Sequence, residues 1–161
     1  MWRRGFSRSA SGAISRTEFS RPEKLGGRVR RACKKASRLA LSNIRVLRIE
    51  SAYAIQYLLP VASVDVVHLL FPDPWPKKKH RRRRIMSPDF LTLVHGLLVP
   101  NGRSRIATDQ KEYFAAMREL ILPGAFVEMT PIMEAFPLTT FERHFLAEGA
   151  PIYRLELRKV S

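Results

Sequence analysis

The sequence predicts an α/β protein built on a mostly parallel sheet, and three observations predict it. Apolar residues recur at three- and four-residue steps over 24–41 and again after Ser87, as in amphipathic helices. Between such stretches lie β-branched runs. Val64-Asp65-Val66-Val67-His68-Leu69-Leu70-Phe71 is nearly continuous in apolar character, the pattern of a strand covered on both faces. The two kinds of segment alternate along the chain, which implies helices packed on a parallel sheet. A chain of 161 residues suits about one domain with one modest core, and a hydrophobic fraction of 45% excludes a disordered composition.

The elements come in this order. Leu25, Val29, Ala32, Cys33, Ala36, Leu39 and Ala40 form the inner stripe of a first helix, with Asn43 as its stop. Ile44–Ile49 reads as a strand and 51–59 as a short helix. The strand at 64–71 comes next. Ser87-Pro88-Asp89 opens a helix with Pro88 at its first position, and Phe90, Leu91, Val94, Leu97 and Leu98 face inward. Pro100-Asn101-Gly102 reads as a turn, 103–108 as a strand, 110–121 as a helix and 126–129 as a weak strand. Thr139-Thr140-Phe141-Glu142 opens a further helix. Ile152–Leu157 alternates and suits a closing antiparallel strand.

Residues 1–22 differ from the rest of the chain. Five arginines, five serines and the single acid Glu18 show no hydrophobic period. This segment reads as a disordered or non-native basic leader, with a transit peptide as the alternative, and 23–161 as the folded domain. The net charge of +15 calls for an anionic partner, nucleic acid ahead of an anionic membrane surface. No apolar run approaches the roughly 18 residues of a membrane-spanning helix. Cys33 is the only cysteine, which excludes an internal disulfide and a cysteine-based zinc site; a reducing, cytoplasmic setting fits it, and its place among helix formers predicts burial. His68, His80, His95 and His144 are scattered, so no metal site is expected.

In parallel sheets, ligands sit beyond the carboxyl ends of the strands. Glu50, Asp73 and Asp109 fall at or just past predicted strand ends, and Glu23 precedes the first helix, where an earlier strand would end. The bland alternative is that acids favour helix N-termini. Asp73 stands apart because it lies in FPDPWPKKKHRRRR, residues 71–84. Pro72 and Pro74 fix the backbone on both sides. Seven of the eight residues Lys77–Arg84 are Lys or Arg, the eighth being His80. A charge run is ordinarily a solvated loop, but this one follows a rigid Asp-Trp at a strand end, where it can meet phosphates or stack on bases.

FPDPWPKKKHRRRR resembles the signature of the bacterial tRNA (guanine-N7)-methyltransferases. Leu41-Ser42-Asn43, Ala107-Thr108-Asp109 and Thr139-Thr140-Phe141-Glu142 resemble further motifs of that family, in its order, from about Glu23 to the C-terminus. The resemblance implies a Rossmann-like class I S-adenosylmethionine-dependent methyltransferase sandwich. It also implies methyl transfer to N7 of a variable-loop guanine in tRNA, by a monomer or homodimer. Asp73 takes the place of the proposed active-site aspartate, which also touches the donor. Glu23 takes the place of the acid that binds the donor's ribose hydroxyls, and Glu50 that of an adenine-side aspartate. Lys77, Asp109, Thr139, Thr140, Phe141 and Glu142 match guanine or tRNA contacts. Lys79, His80, Arg81, Arg82, Arg83 and Arg84 match the RNA-binding stretch.

The sequence departs from the family at three places. Glu50 is one methylene longer than the usual Asp, and Thr140 replaces a Lys. The Gly-rich turn expected under the donor has no counterpart in residues 1–22, so the first βα unit is expected to be lacking. Two further readings therefore stand beside the enzyme: a truncated, weak or inactive family member that only binds tRNA, and a basic structural protein in which Asp73 is incidental.

Overall fold

The computed structural model describes residues 17–20, 25–133 and 139–160, in two compact units that divide after Tyr53. In the first unit, strand β1 (Thr17–Ser20) pairs in parallel with β2 (Arg45–Arg48), from Thr17 opposite Arg45 to Ser20 opposite Arg48. β1 lies inside the segment that the sequence presents as a leader. Phe19 is its one large apolar residue, too little for a hydrophobic period to show. Helix α1 (Leu25–Arg38) packs on β2 with Val29, Ala32 and Ala36 half-buried. The buried stripe is narrower than expected: Cys33, Leu39 and Ala40 are exposed. The helix also stops earlier than Asn43. Leu41 N–H reaches back to Ala36 O at 2.9 Å and Ala40 N–H to Ser37 O at 3.0 Å, with Ala40 at φ 50°. That paired bonding with a left-handed residue is a Schellman cap, in which Ala stands where Gly is usual. Helix α2 (Ser51–Tyr57) begins in this unit and carries Ala54 and Ile55, both buried, into the second.

The second unit is a four-stranded sheet in the order β3-β4-β6-β5. β3 (Val64–Leu70) and β4 (Leu98–Thr108) are parallel, whereas β6 (Tyr153–Lys159) runs antiparallel to both β4 and β5 (Phe126–Met129). The expected turn at Pro100-Asn101-Gly102 lies within β4, as an irregularity in the ladder. Val64 pairs with Leu98 but Val66 with Arg103, and Asn101 adopts φ 61°. Gly102 is needed here, because a Cβ would meet Val99 O at 2.8 Å. Helices α3 (Pro88–Leu97) and α4 (Lys111–Glu119) pack on β4. Ser87 caps α3 by accepting Phe90 N–H at 3.2 Å, as the Ser-Pro-Asp start predicts. Phe90, Leu91, Val94 and Leu97 of α3, Ile106 of β4, and Leu155 and Leu157 of β6 fill the core.

Side chains alternate along β4 and β6, so Ile106 and its cross-strand partner Leu155 share one face, and Arg105 and its partner Glu156 share the other. Glu156 is 0% exposed. One carboxylate oxygen takes Arg103 at 3.0 Å and Arg105 at 3.3 Å, and the other accepts Ile132 N–H at 3.4 Å. Burial pushes the Glu156 carboxyl up, but the Ile132 amide and the two guanidinium groups outweigh it and hold the pKa below its ordinary value.

Replacing Glu156 with Gln should destabilise the chain by about 1–3 kcal/mol, because it leaves the half-buried Arg105, and the more exposed Arg103, without their anion. Urea denaturation measures this loss. A depressed carboxyl contributes stability in full above its unfolded pKa of about 4.3 and loses it as pH falls through the folded value. The acid limb of stability below about pH 4 should therefore be flatter in E156Q than in the parent.

Candidate functional site

Parallel pairing builds the site. β3 ends at Leu70 opposite Ala107, one residue before β4 ends, and Phe71 N–H donates to Ala107 O at 2.8 Å. The chain leaves both strands at the same edge of the sheet, placing Asp73 and Asp109 just beyond neighbouring strand ends. Asp73 is exposed in a segment with Pro72, Pro74 and Pro76. Two aromatic residues around it, Phe71 at φ 49° and Trp75 at φ 41°, occupy left-handed backbone. For bulky side chains such geometry costs about 1–3 kcal/mol each and persists only where the surroundings over-determine it.

Those surroundings are visible. Phe71 packs on Phe145 of α5 (Thr140–Ala147), ring centroids 5.5 Å apart. The His80 and Trp75 rings stand perpendicular with centroids 5.7 Å apart, and Arg83 lies over the Trp75 ring at 5.1 Å. Arg84 Nε donates to Pro74 O at 2.7 Å, while its guanidinium sits 4.5 Å from the ring centre of Tyr113. Tyr113, on α4, is 1% exposed, and its hydroxyl accepts Met86 N–H at 3.3 Å. Burial raises the Tyr113 pKa, the Met86 amide and Arg84 oppose it, and the Asp73 carboxylate adds to the rise. Asp73 is therefore within electrostatic reach of Tyr113.

The basic run is an ordered 3-10 helix, Lys78–Arg83. Three residues per turn bring every third side chain to one face. His80 and Arg83 share the face toward Trp75. Arg81 and Arg84 share a second face toward α4, where Arg81 pairs with Glu112 at 3.5 Å. Lys79 and Arg82 share the third. Lys77, Lys78, Lys79 and Arg82 are exposed and form no ion pair among the described residues. A cavity of about 220 Å³ between this segment and α4 is lined by Pro74, Pro76, Arg84, Gln110, Lys111, Glu112 and Tyr113.

Of the other predicted residues, Asp109 accepts a bond from Gln110 Nε2 at 2.5 Å. Thr139 caps α5 by accepting Glu142 N–H at 3.1 Å. Glu142 is buried and ion-paired with Arg154, and Thr140 is exposed. Of Phe141, only the backbone in α5 is described. Glu50, exposed at the end of β2 in the first unit, caps α2 by accepting Tyr53 N–H at 2.8 Å. Glu23 lies outside the described residues. Among the described residues no His, Cys, Asp and Glu group could hold a metal ion, and no helix is long and apolar enough to cross a membrane. Sequence reasoning misses Tyr113. Its signal is the four-residue spacing to Met117, also buried, on the helix after Asp109.

A sheet with an antiparallel last strand, and acids with a basic helix at its C-terminal edge, define a Rossmann-like α/β protein of the methyltransferase type. Comparison with solved structures gives the same architecture. A SAM-dependent O-methyltransferase of Thermotoga maritima superposes with a TM-score of 0.52 at 13% identity, over 86% of this chain and 48% of that one. Residues 23–155 match the family model described as "Putative methyltransferase", and the chain belongs to that family. A tRNA (guanine-N(7)-)-methyltransferase of Nitrosospira multiformis is 35% identical over 131 residues, covering 78% of this chain and 57% of the relative. One of Leifsonia xyli is 41% identical over 128 residues, covering 73% and 55%. The chain thus spans little more than half the length of these curated relatives.

The Arg81–Glu112 pair is exposed on both sides, so Glu112→Gln should change stability by less than about 1 kcal/mol, read by thermal melting at low salt. A larger loss would mean that this pair helps to hold the 3-10 helix.

Proposed function

We propose that this chain transfers a methyl group from S-adenosylmethionine to N7 of a guanine in the variable loop of tRNA, in the cytoplasm, as a monomer or homodimer. The observation that carries the reading is the placement of Asp73, on a strained and braced turn, beside a helix that turns unpaired cations to solvent. The similarity to curated tRNA (guanine-N(7)-)-methyltransferases supports it. The methyltransferase domain is proposed as 23–161 together with β1 (Thr17–Ser20), which pairs with β2.

The donor presents hydroxyls and an ammonium group, which call for carboxylate acceptors. Glu50 and Asp73, both exposed at strand ends, are acceptors of that kind, and Glu23 is assigned the same role from the sequence. Bound S-adenosylmethionine supplies an electrophilic methyl group. Guanine N7 carries a free lone pair, so no side chain has to remove a proton before attack. The chain's task is alignment, an effect worth several orders of magnitude when the groups are held in line. Methylation leaves the purine cationic. Asp73 accepts the base's N–H edge and stabilises the charge as it develops. Asp109 and the capped start of α5, Thr139–Glu142, hold the base and its flanking RNA. Glu142 supports this start from within, its N–H donating to Thr139 and its carboxylate holding Arg154. Lys77, Lys78, Lys79 and Arg82 meet phosphates, with Arg81 beside them; His80 and Arg83 hold Trp75 while facing the same RNA.

The test is methyl transfer to an unmodified tRNA transcript by the 161-residue chain, with N7-methylguanosine identified by mass spectrometry. Asp73→Ala should cut turnover by about 100-fold or more while tRNA affinity changes little. Active D73A, or a parent chain that binds tRNA without transferring methyl, would overturn the reading. Exchanging Lys77, Lys78, Lys79 and Arg82 for Gln should reduce the slope of log affinity against log salt by about 0.7–0.9 for each phosphate that is no longer neutralised. An unchanged slope would show that the run does not touch the backbone of the RNA.

A further inference from the structure

We infer that Arg84, the last cation of the basic run, is a positioning residue that works with Tyr113 to fix Asp73 relative to Asp109, and is not a contact to RNA. The inference rests on the function proposed above and assigns a task within that site.

The geometry gives Arg84 two partners, and neither is an anion. Its Nε–H is committed to Pro74 O at 2.7 Å. Pro74 directly follows Asp73, and with Pro72 and Pro76 nearby this turn has few amide donors of its own to anchor it. The planar guanidinium lies over the Tyr113 ring at 4.5 Å, an arrangement that Arg makes and Lys does not reproduce. Arg84 is half-buried, unlike Arg81, Arg82 and Arg83. Tyr113 is buried on α4, four residues after Asp109, and its hydroxyl holds Met86 N–H on the far side of Arg84. Arg84 thus bridges two chain segments that leave neighbouring parallel strands. One carries Asp73 and the other Asp109. The bridge tethers the Asp73 turn to the helix that starts beside Asp109.

Two substitutions separate positioning from RNA contact. Arg84→Lys keeps the charge and loses the planar fork; Tyr113→Leu keeps the bulk of an apolar side chain and loses the ring face. In the methylation assay both should lower kcat by about 10- to 100-fold, the scale expected when reacting groups are misplaced by about an ångström. KM for tRNA and the salt slope of tRNA binding should stay within about twofold of the parent, because the outward cations are intact. R84K combined with Y113L should be no worse than the less active single variant, since both break one bridge. Full activity in R84K, with Arg84→Ala raising KM and reducing the salt slope, would overturn the inference and return Arg84 to the RNA-contacting set.

A second readout needs no activity. In a chain carrying Trp2→Phe, acrylamide quenching of Trp75 should increase in R84K and in Y113L, as the turn loosens. Unchanged quenching in both would overturn the bridge even if the chain were active. A parent chain that transfers no methyl group but shows increased quenching in the variants would sink the proposed activity and leave the bridge standing.

Discussion

The parallel pairing of β3 with β4 is the constraint on which the second unit's site depends. A parallel ladder sends both chains out at the same edge, so an acid just past each strand end reaches the same side of the sheet with no specific contact between the two. An antiparallel pair would have put Asp73 and Asp109 at opposite ends of the sheet. The antiparallel β6 does not disturb this arrangement, because it enters on the other side of β4 and leaves the β3–β4 boundary untouched.

Much of this is legible in the residues. Apolar periods locate α1 and α3, the continuous run 64–71 locates β3, and Ser87-Pro88 locates a helix start that side-chain capping realises. The strand-end rule places Asp73 and Asp109 correctly because it depends only on strand direction. The departures share a physical origin. Helical spacing puts Cys33 on the inner stripe of α1, but it does not reveal how wide a partner covers that stripe. α1 ends at a left-handed Ala40, a conformation that composition does not reveal. Glu156 hides in the sequence because a lone acid in an alternating strand looks solvent-facing, and only the cross-strand register shows it between two arginines. The basic run presents seven charges that look equivalent, because nothing sorts them until the backbone is known to be a 3-10 helix.

Electrostatics divides the cations by environment. Arg103 and Arg105 are drawn into the sheet by one buried carboxylate, Arg154 by another, and Arg84 by a carbonyl and an aromatic face. These arginines hold the unit together. The lysines at 77–79, more strongly hydrated and less suited to flat partners, remain at the surface. The large positive charge of the chain is thus partly internal scaffolding and partly available field.

The three-residue period of the 3-10 helix has a consequence for how this segment can change. Its three faces are distinguished only by position modulo three, so exchange of Lys for Arg on the outward face leaves the pattern intact. An inserted or deleted residue does not: every side chain beyond it moves to the next face, so an insertion turns the guanidinium that met Tyr113 outward and a deletion turns out the one that met Trp75. The segment is therefore tolerant of spelling and intolerant of length, a property set by helical geometry and independent of what the cations meet.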